Sequence, residues 1–285
     1  MLSILTPTYN RADKLKNLYQ SLQKQVFKNF EWIIIDDGST DNTKEVVEEF
    51  MNNNDMKIIY KYKENGGKMS AHNLGMEFVK GEFLADIDSD DIFMSNSLGD
   101  IYSECEKISN VSDIAGLGFL CIKMNSNDII GTKFPQDEQI ETFYNIYNKF
   151  NVTGDKQLVL KTNIMKKYLF PLQENEKFVP EALVFNRMSK EYKMKFINKE
   201  VVCKEYLEEG YSNNYFNLAK KNPKGQVLYY KELYELQPTL YNVAAYNMYS
   251  IFAKEGILKT IKEHPSKLKA LLMYLPAVYK AKTKK

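Results

Sequence analysis

The 285-residue chain reads as an α/β protein: a mostly parallel central sheet flanked by helices, followed by a helical C-terminal region. Three observations predict this. Over the first hundred residues, apolar periodicity alternates between strand and helix four times. The strands are continuous apolar runs such as Trp32–Ile35, as burial on both faces requires. Each strand is followed by a cluster of Asn, Asp, Gly, Lys or Ser, at the carboxyl ends where such sheets bind ligands.

LSILTP (2–7) is a short strand stopped by Pro7. From Asp13 to Val26, Leu15, Leu18, Tyr19, Leu22 and Val26 keep helical spacing. FEWIIID (30–36) is a second strand, and DGSTDNT turns into a helix carrying Val46, Val47, Phe50 and Met51, with Asp41 or Asn42 as its cap. MKIIYKY (56–62) is a third strand, ENGGK a Gly-rich turn, 70–80 a helix and GEFLADID (81–88) a fourth strand.

Beyond residue 92 the pattern loosens. Residues 119–125 and 128–134 suggest a hairpin about Asn125–Asn127, and 158–161 a strand. Residues 164–170 and 181–193 read as helical, 194–207 as strands, and 215–236 and 239–262 as helices. The expected division is one domain over 1–210, with halves at 1–100 and 101–210, then a helical region over 211–285.

A net charge of +2 excludes the broad basic field of a nucleic-acid binder. Cys105, Cys121 and Cys203 are odd in number and form no CxxC pair, so packing thiols in a reducing compartment are expected rather than a zinc site. The start MLSILTPTYN lacks a basic n-region and a long apolar h-region, and no run of about 18 apolar residues occurs; a cytosolic protein is expected.

The chemistry gathers at the strand ends. DIDSDD (86–91) puts Asp86, Asp88, Asp90 and Asp91 within six positions, and like charges so close need an offset. Mg2+ or Mn2+ bound to carboxylate and diphosphate oxygens would supply it and stabilise a leaving diphosphate. Asp86 is still in strand phase and reads as structural; Asp91 orients the turn. In DDGSTD, Asp36 or Asp37 can accept from a base or a ribose. In ENGGK, Gly66 and Gly67 let backbone N–H groups approach a phosphate, and Lys68 adds a full charge. His72 and His264 are read as structural.

PTYNR, IIIDDGSTD, ENGGKMSAHNLG and FLADIDSDD, in this order and spacing, resemble family 2 glycosyltransferases of the GT-A fold over roughly residues 2 to 100. The resemblance implies a sugar nucleotide across the strand ends, with Pro7, Thr8 and Tyr9 flanking the base and Asp36 hydrogen-bonding it. Lys68 would lie near base or phosphates, Asp88 and Ser89 would contact the donor, and Asp90 with Asp88 would ligate the metal. It also implies single-displacement inversion, which needs a general base. The family places an acidic residue, often in a Glu-Asp pair, at a helix start in the second half. Glu181 in EKFVPEALVFNR fits, although Ala182 follows it, and Glu174 and Glu176 compete. Arg187 on the same helix and Asp155 are candidates for acceptor or support roles.

The implied activity is transfer of a hexose or N-acetylhexosamine from a nucleoside diphosphate sugar, UDP-linked, to a glycan or lipid-linked glycan. A sugar-nucleotide nucleotidyltransferase is the rival enzyme, but it needs a Gly-rich loop where this chain has PTYNR. A non-catalytic sugar-nucleotide-binding partner is the rival outside enzymes. The aromatic segments between 206 and 252 read as core. The end, KLKALLMYLPAVYKAKTKK, fits either a packed terminal helix or a segment lying on an anionic membrane, which would put the protein on the inner face.

Overall fold

The structure is a computed structural model that describes residues 1–205 and 214–283. The chain forms two compact units. Met1–Leu169 with Arg187–Tyr206 make the first, and Phe170–Asn186 with Leu207–Lys285 make the second. The expected domain boundary at 210 lies outside the described residues, and 170–186 belongs to the second unit.

The first unit begins with β1 (Leu2–Thr8), α1 (Ala12–Gln23), β2 (Phe30–Asp36), α2 (Thr43–Asn52), β3 (Lys57–Tyr62), α3 (Lys68–Gly75) and β4 (Phe83–Asp86). It continues through β5 (Ile92–Phe93), α4 (Ser97–Ile108), β6 (Ile114–Lys123), β7 (Gln139–Glu141), α5 (Phe143–Asn148), β8 (Lys156–Lys161) and α6 (Thr162–Met165). Helix α7 (Glu181–Met188) runs across the boundary between the units, and β9 (Lys193–Lys204) completes the sheet. The strand order is β3-β2-β1-β4-β8-β6-β9-β5, with β7 added on β9. β3, β2, β1 and β4 are parallel; β8 is antiparallel to β4 and β6, and β9 is parallel to β6.

Every residue of β2 is buried, which is why its sequence does not alternate. The strand's period of two still sorts the side chains. Ile4, Trp32 and Ile34 join Leu15, Leu18, Leu22, Val46, Val47 and Phe50 of α1 and α2 in one core. Tyr19 stacks on Phe50 at 4.1 Å between ring centres, and Trp32 Nε1 donates to Thr6 Oγ1 at 3.0 Å. On the opposite face Leu5 and Ile35 meet α3 at Gly75, where an added Cβ would lie 2.3 Å from Leu5 Cδ1. That contact explains a glycine inside a helix.

One buried charge locks the other end of the strands. Glu31 Oε1 accepts from Ser3 Oγ (2.7 Å) and Lys80 N (2.8 Å), and Oε2 pairs with Lys57 Nζ. Ser3 Oγ in turn accepts from Gly81 N. Burial pushes the Glu31 carboxyl up, but Lys57, Ser3 and the Lys80 amide outweigh it and hold it below the usual range.

The second half departs from the sequence expectation. Residues 128–134 form no strand: Ile122 and Ile129 make one isolated bridge, and the pairing stops there. Gly131, at φ 71, turns the chain toward Thr153, and that turn replaces a second hairpin strand. The helix expected over 70–80 spans only Lys68–Gly75. Of the strands expected over 194–207, the described part is one long strand, β9 (Lys193–Lys204), rather than several, and 206–207 lie outside the described residues. Cys105 and Cys121 are buried packing thiols, and burial pushes the Cys121 thiol up to about 12.

In the second unit α8 (Tyr215–Lys221) and α9 (Pro223–Leu236) are separate because Pro223 starts a new helix. The chain continues through α10 (Leu240–Phe252), α11 (Ile257–Glu263), α12 (Lys267–Leu272) and α13 (Tyr274–Thr283). Ala219, Met248, Tyr249 and Ala277 form one small core, and Tyr234, Val243 and Ala270 another. His264 is buried between the rings of Tyr234 and Tyr246, so its role there is packing.

Glu31→Leu should cost about 3 kcal/mol, because it leaves the Ser3 hydroxyl proton and the Lys80 amide without an acceptor. Since its folded-state pKa is depressed, the contribution of Glu31 is fully present above the unfolded pKa, about 4.3, and is lost as pH falls through the folded value. Urea unfolding at pH 7 and pH 3 should show the wild-type advantage over the variant shrinking at the lower pH.

Candidate functional site

The parallel register brings Thr8 opposite Asp36 and Leu5 opposite Asp86, so the ends of β1, β2 and β4 meet at one edge of the sheet. Pro7 and Thr8 end β1, and Tyr9 stands half exposed beyond them. Asn10, at φ 51, accepts at Oδ1 from Thr40 N (2.7 Å) and holds the two loops together. Asp41 accepts from Thr43 N and Thr43 Oγ1 at the start of α2, and from Ala12 N at the start of α1. Asp41 therefore serves two helices, and Asn42 makes no side-chain cap.

The pair Asp36–Asp37 builds the turns. Asp36 Oδ1 accepts from Ser39 N (2.8 Å) and Oδ2 from Tyr60 Oη (2.6 Å). Asp37 accepts from Lys63 Nζ (2.7 Å), Gly66 N (2.9 Å) and Gly67 N (2.7 Å). This corrects the expectation for the glycine turn. The Gly66 and Gly67 amides point at a buried carboxylate, not outward to a phosphate, because Asp37 is 3% exposed and needs donors. Lys68, the first residue of α3, is left as the cation that reaches the edge.

After β4 the chain makes a turn in which Asp91 N donates to Asp88 O, with Ser89 buried inside it. Each carboxylate has its own cation. Asp88 Oδ1 lies 2.6 Å from Lys68 Nζ, and Asp90 Oδ2 lies 2.9 Å from Arg11. Asp91 Oδ2 lies 2.8 Å from Lys204 Nζ, which is also 3.8 Å from Asp88 and 4.0 Å from Asp155. Asp86 turns away to His72, with 3.1 Å between Oδ2 and Nε2, which fits its structural reading.

Lys204 is the member of this cluster that the sequence reading missed. It arrives through pairing: Ile92 lies opposite Cys203 and Phe93 opposite Val202, so the next step of the antiparallel ladder sets Asp91 beside Lys204. The two are 113 positions apart, and no local pattern in the sequence links them. The same lysine brings Asp155 to the cluster.

The charges leave the three aspartates unequal. Burial pushes Asp88 up, but Lys68 and Lys204, with Arg11, overcome it and hold Asp88 far below the usual carboxylate range. Burial and the nearby Asp88 raise Asp90 in spite of Arg11. Burial raises Asp91, with Lys204 opposing and Asp88 adding to the rise. Lys204 stays protonated, because Asp91 and Asp88 outweigh its own burial.

Among the described residues no group of three or more His, Cys, Asp and Glu side chains could hold a metal ion unaided. Asp88 and Asp90 are hard oxygen donors at a strand-end turn, and their side chains keep 34% and 12% exposure. Two such carboxylates suit a Mg2+ or Mn2+ that takes its remaining ligands from phosphates and water. Thr8 Oγ1 and one oxygen of Asp86 are buried with no protein partner, so polar capacity remains at these strand ends.

Glu181 is exposed at the first position of α7 and belongs to the second unit. Arg187 lies in the last turn of α7. Glu176 is committed elsewhere: its two oxygens accept from Lys224 N and Gly225 N at the start of α9. Glu174 offers its backbone carbonyl to Lys224 Nζ.

The profile of Glycosyl transferase family 2 matches residues 3–165. An Escherichia coli protein, UDP-Glc:alpha-D-GlcNAc-diphosphoundecaprenol beta-1,3-glucosyltransferase WfgD, is 28% identical over 223 residues, 78% of this chain and 83% of its own. The first three curated relatives match over less than half of their own length. Residues 1–349 of Staphylococcus aureus TarS in complex with UDP-GlcNAc superpose with a TM-score of 0.64 at 19% identity, covering 98% of this chain and 88% of that one. A Pyrobaculum calidifontis mannosyltransferase in complex with GDP-Man and Mn2+ gives 0.57 at 16% identity, covering 99% and 83%. The fold is therefore GT-A, as the strand-end motifs implied.

Lys204→Met should destabilise the chain by about 3 kcal/mol in urea unfolding, because it leaves Asp91 buried without its cation. Adding Asp91→Asn in the same chain should recover at least half of the loss. Equal stability of wild type and Lys204→Met would contradict the ion-pair account.

Proposed function

The chain belongs to glycosyl transferase family 2, and we propose that it moves a hexose or N-acetylhexosamine from a UDP-linked sugar to a glycan or lipid-linked glycan hydroxyl, with inversion. The observation that carries the proposal is the placement of Asp88, Asp90, Lys68 and Thr8 at one edge of a GT-A sheet. UDP as the nucleotide is supported by the printed names of WfgD and of the UDP-GlcNAc complex of TarS. The diphosphoundecaprenol in WfgD's name supports a lipid-linked acceptor, and with it action at the cytoplasmic face of a membrane.

In this reading Pro7, Thr8 and Tyr9 flank the base, Asp36 hydrogen-bonds it, and Ser89 and Asp88 face the ribose and diphosphate. Asp88 and Asp90 would hold a Mg2+ or Mn2+, which when bound lowers the cost of the diphosphate's departing charge. Arg11 and Lys68 now pair with the same two carboxylates. With the two carboxylates committed to such a cation, Arg11 and Lys68 would be placed to meet phosphate oxygens.

Transfer itself is one displacement. The acceptor oxygen bonds to the anomeric carbon as the bond from that carbon to the diphosphate breaks. The acceptor proton passes to a carboxylate, and Glu181, at the first position of α7, is the residue assigned to take it. Arg187 and Asp155 are assigned to hold the acceptor side.

Asp90→Ala should abolish Mn2+-dependent UDP binding in calorimetry while leaving the thermal unfolding midpoint within a few degrees of wild type. Unchanged metal-dependent binding would remove Asp90 from the ligand set.

Glu181→Gln should keep donor affinity and lose about 10²- to 10⁴-fold in turnover, the range for loss of a general base. Undiminished turnover would pass the role to another carboxylate.

A further inference from the structure

Large apolar side chains are exposed unevenly. Among the described residues, half of those standing in solvent lie between residues 240 and 279. Five of them form one stripe. Leu268, Leu271, Leu272, Leu275 and Tyr279 follow the i, i+3, i+4, i+7, i+11 spacing of a single helical face across α12 and α13. Their exposures run from 54% to 78%. Ala270 and Ala277, which face the opposite way, are fully buried against α10 and its neighbours. These helices thus use small residues to pack and present large ones to solvent, the reverse of an ordinary surface helix. Leu258 of α11, the helix that packs beside α12, is likewise exposed, at 82%.

The charge around this face is one-sided. Residues 254–285 carry nine lysines against two glutamates, so in a chain of net +2 the remaining 253 residues are net −5. On α12, the exposed Lys267 falls about 100° to one side of Leu268 by helical geometry, while Lys269 on the other side lies with its ammonium 5.4 Å from the Tyr234 ring centre. A leucine stripe edged by lysines is the pattern of a helix lying in a bilayer interface: the stems cover apolar surface and the ammonium groups reach lipid phosphates. A protein partner fits less well, since lysine is depleted at protein interfaces. Among the described residues no helix is long and apolar enough to cross a membrane.

We infer that the exposed face of α11, α12 and α13 docks on an anionic lipid bilayer and lies along it. The inference deepens the proposed function only in placing the chain beside a lipid-linked acceptor. Vesicle binding is read without donor or acceptor, so it can hold or fail whatever the activity proves to be.

The test is co-sedimentation of the full chain with phosphatidylglycerol vesicles and with phosphatidylcholine vesicles. Binding to the first and not the second is expected, weakening as salt rises. Leu268→Ser, Leu272→Ser and Leu275→Ser combined should weaken it on the order of a hundredfold. Lys262→Gln, Lys267→Gln and Lys282→Gln should each weaken it about fivefold. All six positions are exposed, so circular dichroism should be unchanged. Failure of the wild type to bind phosphatidylglycerol vesicles would overturn the inference. So would binding that the leucine variant leaves intact, or a dimer in light scattering that this variant splits without altering vesicle binding.

Discussion

Lys204 sits 2.8 Å from Asp91, 3.8 Å from Asp88 and 4.0 Å from Asp155, and the strand-end cluster depends on that one ammonium group. The buried Asp91 and the half-buried Asp88 repel each other within one turn, and the cation between them offsets that repulsion. With Lys204 in place, Asp91 is tied down as the base of the turn. Asp88 is left ionised, with one oxygen toward Lys68, and Asp90 is held outward by Arg11. The division of labour among three neighbouring aspartates is set by which cation each one meets.

The same logic recurs one loop away. Asp37 gathers Lys63 and the Gly66 and Gly67 amides, so a buried carboxylate shapes the loop that delivers Lys68. At the far end of the strands Glu31 does the equivalent for Ser3, Lys80 and Lys57. Three buried acids, each fully partnered, fix the register and loops of the parallel half. A misplaced partner would leave a charge stranded at a cost of several kcal/mol, which makes the arrangement close to all-or-none.

Much of this was legible in the sequence because it is local. The four parallel strands, the turns after them and the grouping of Asp88 and Asp90 with Lys68 follow from apolar runs and turn residues within the first hundred positions. The remainder depends on long-range pairing. Nothing local sets Ile92 opposite Cys203, and so nothing local announces Lys204. The hairpin expected at 128–134 failed because Gly131 turns the chain toward Thr153, and periodicity does not register that packing. The Gly66–Gly67 turn looked like a phosphate cradle because its residue types suit one; its amides proved to serve Asp37. The C-terminal leucines kept helical spacing in the sequence, but only the structure tells which of them face solvent.

The central claim is that Asp88 and Asp90 complete a cation site only together with a nucleoside diphosphate. Titrating Mn2+ into the protein by calorimetry, with and without saturating UDP, tests it most directly. The account predicts weak Mn2+ binding alone and binding tightened at least tenfold by UDP, with an equal tightening of UDP by Mn2+. Mn2+ affinity that is the same with and without UDP would contradict it.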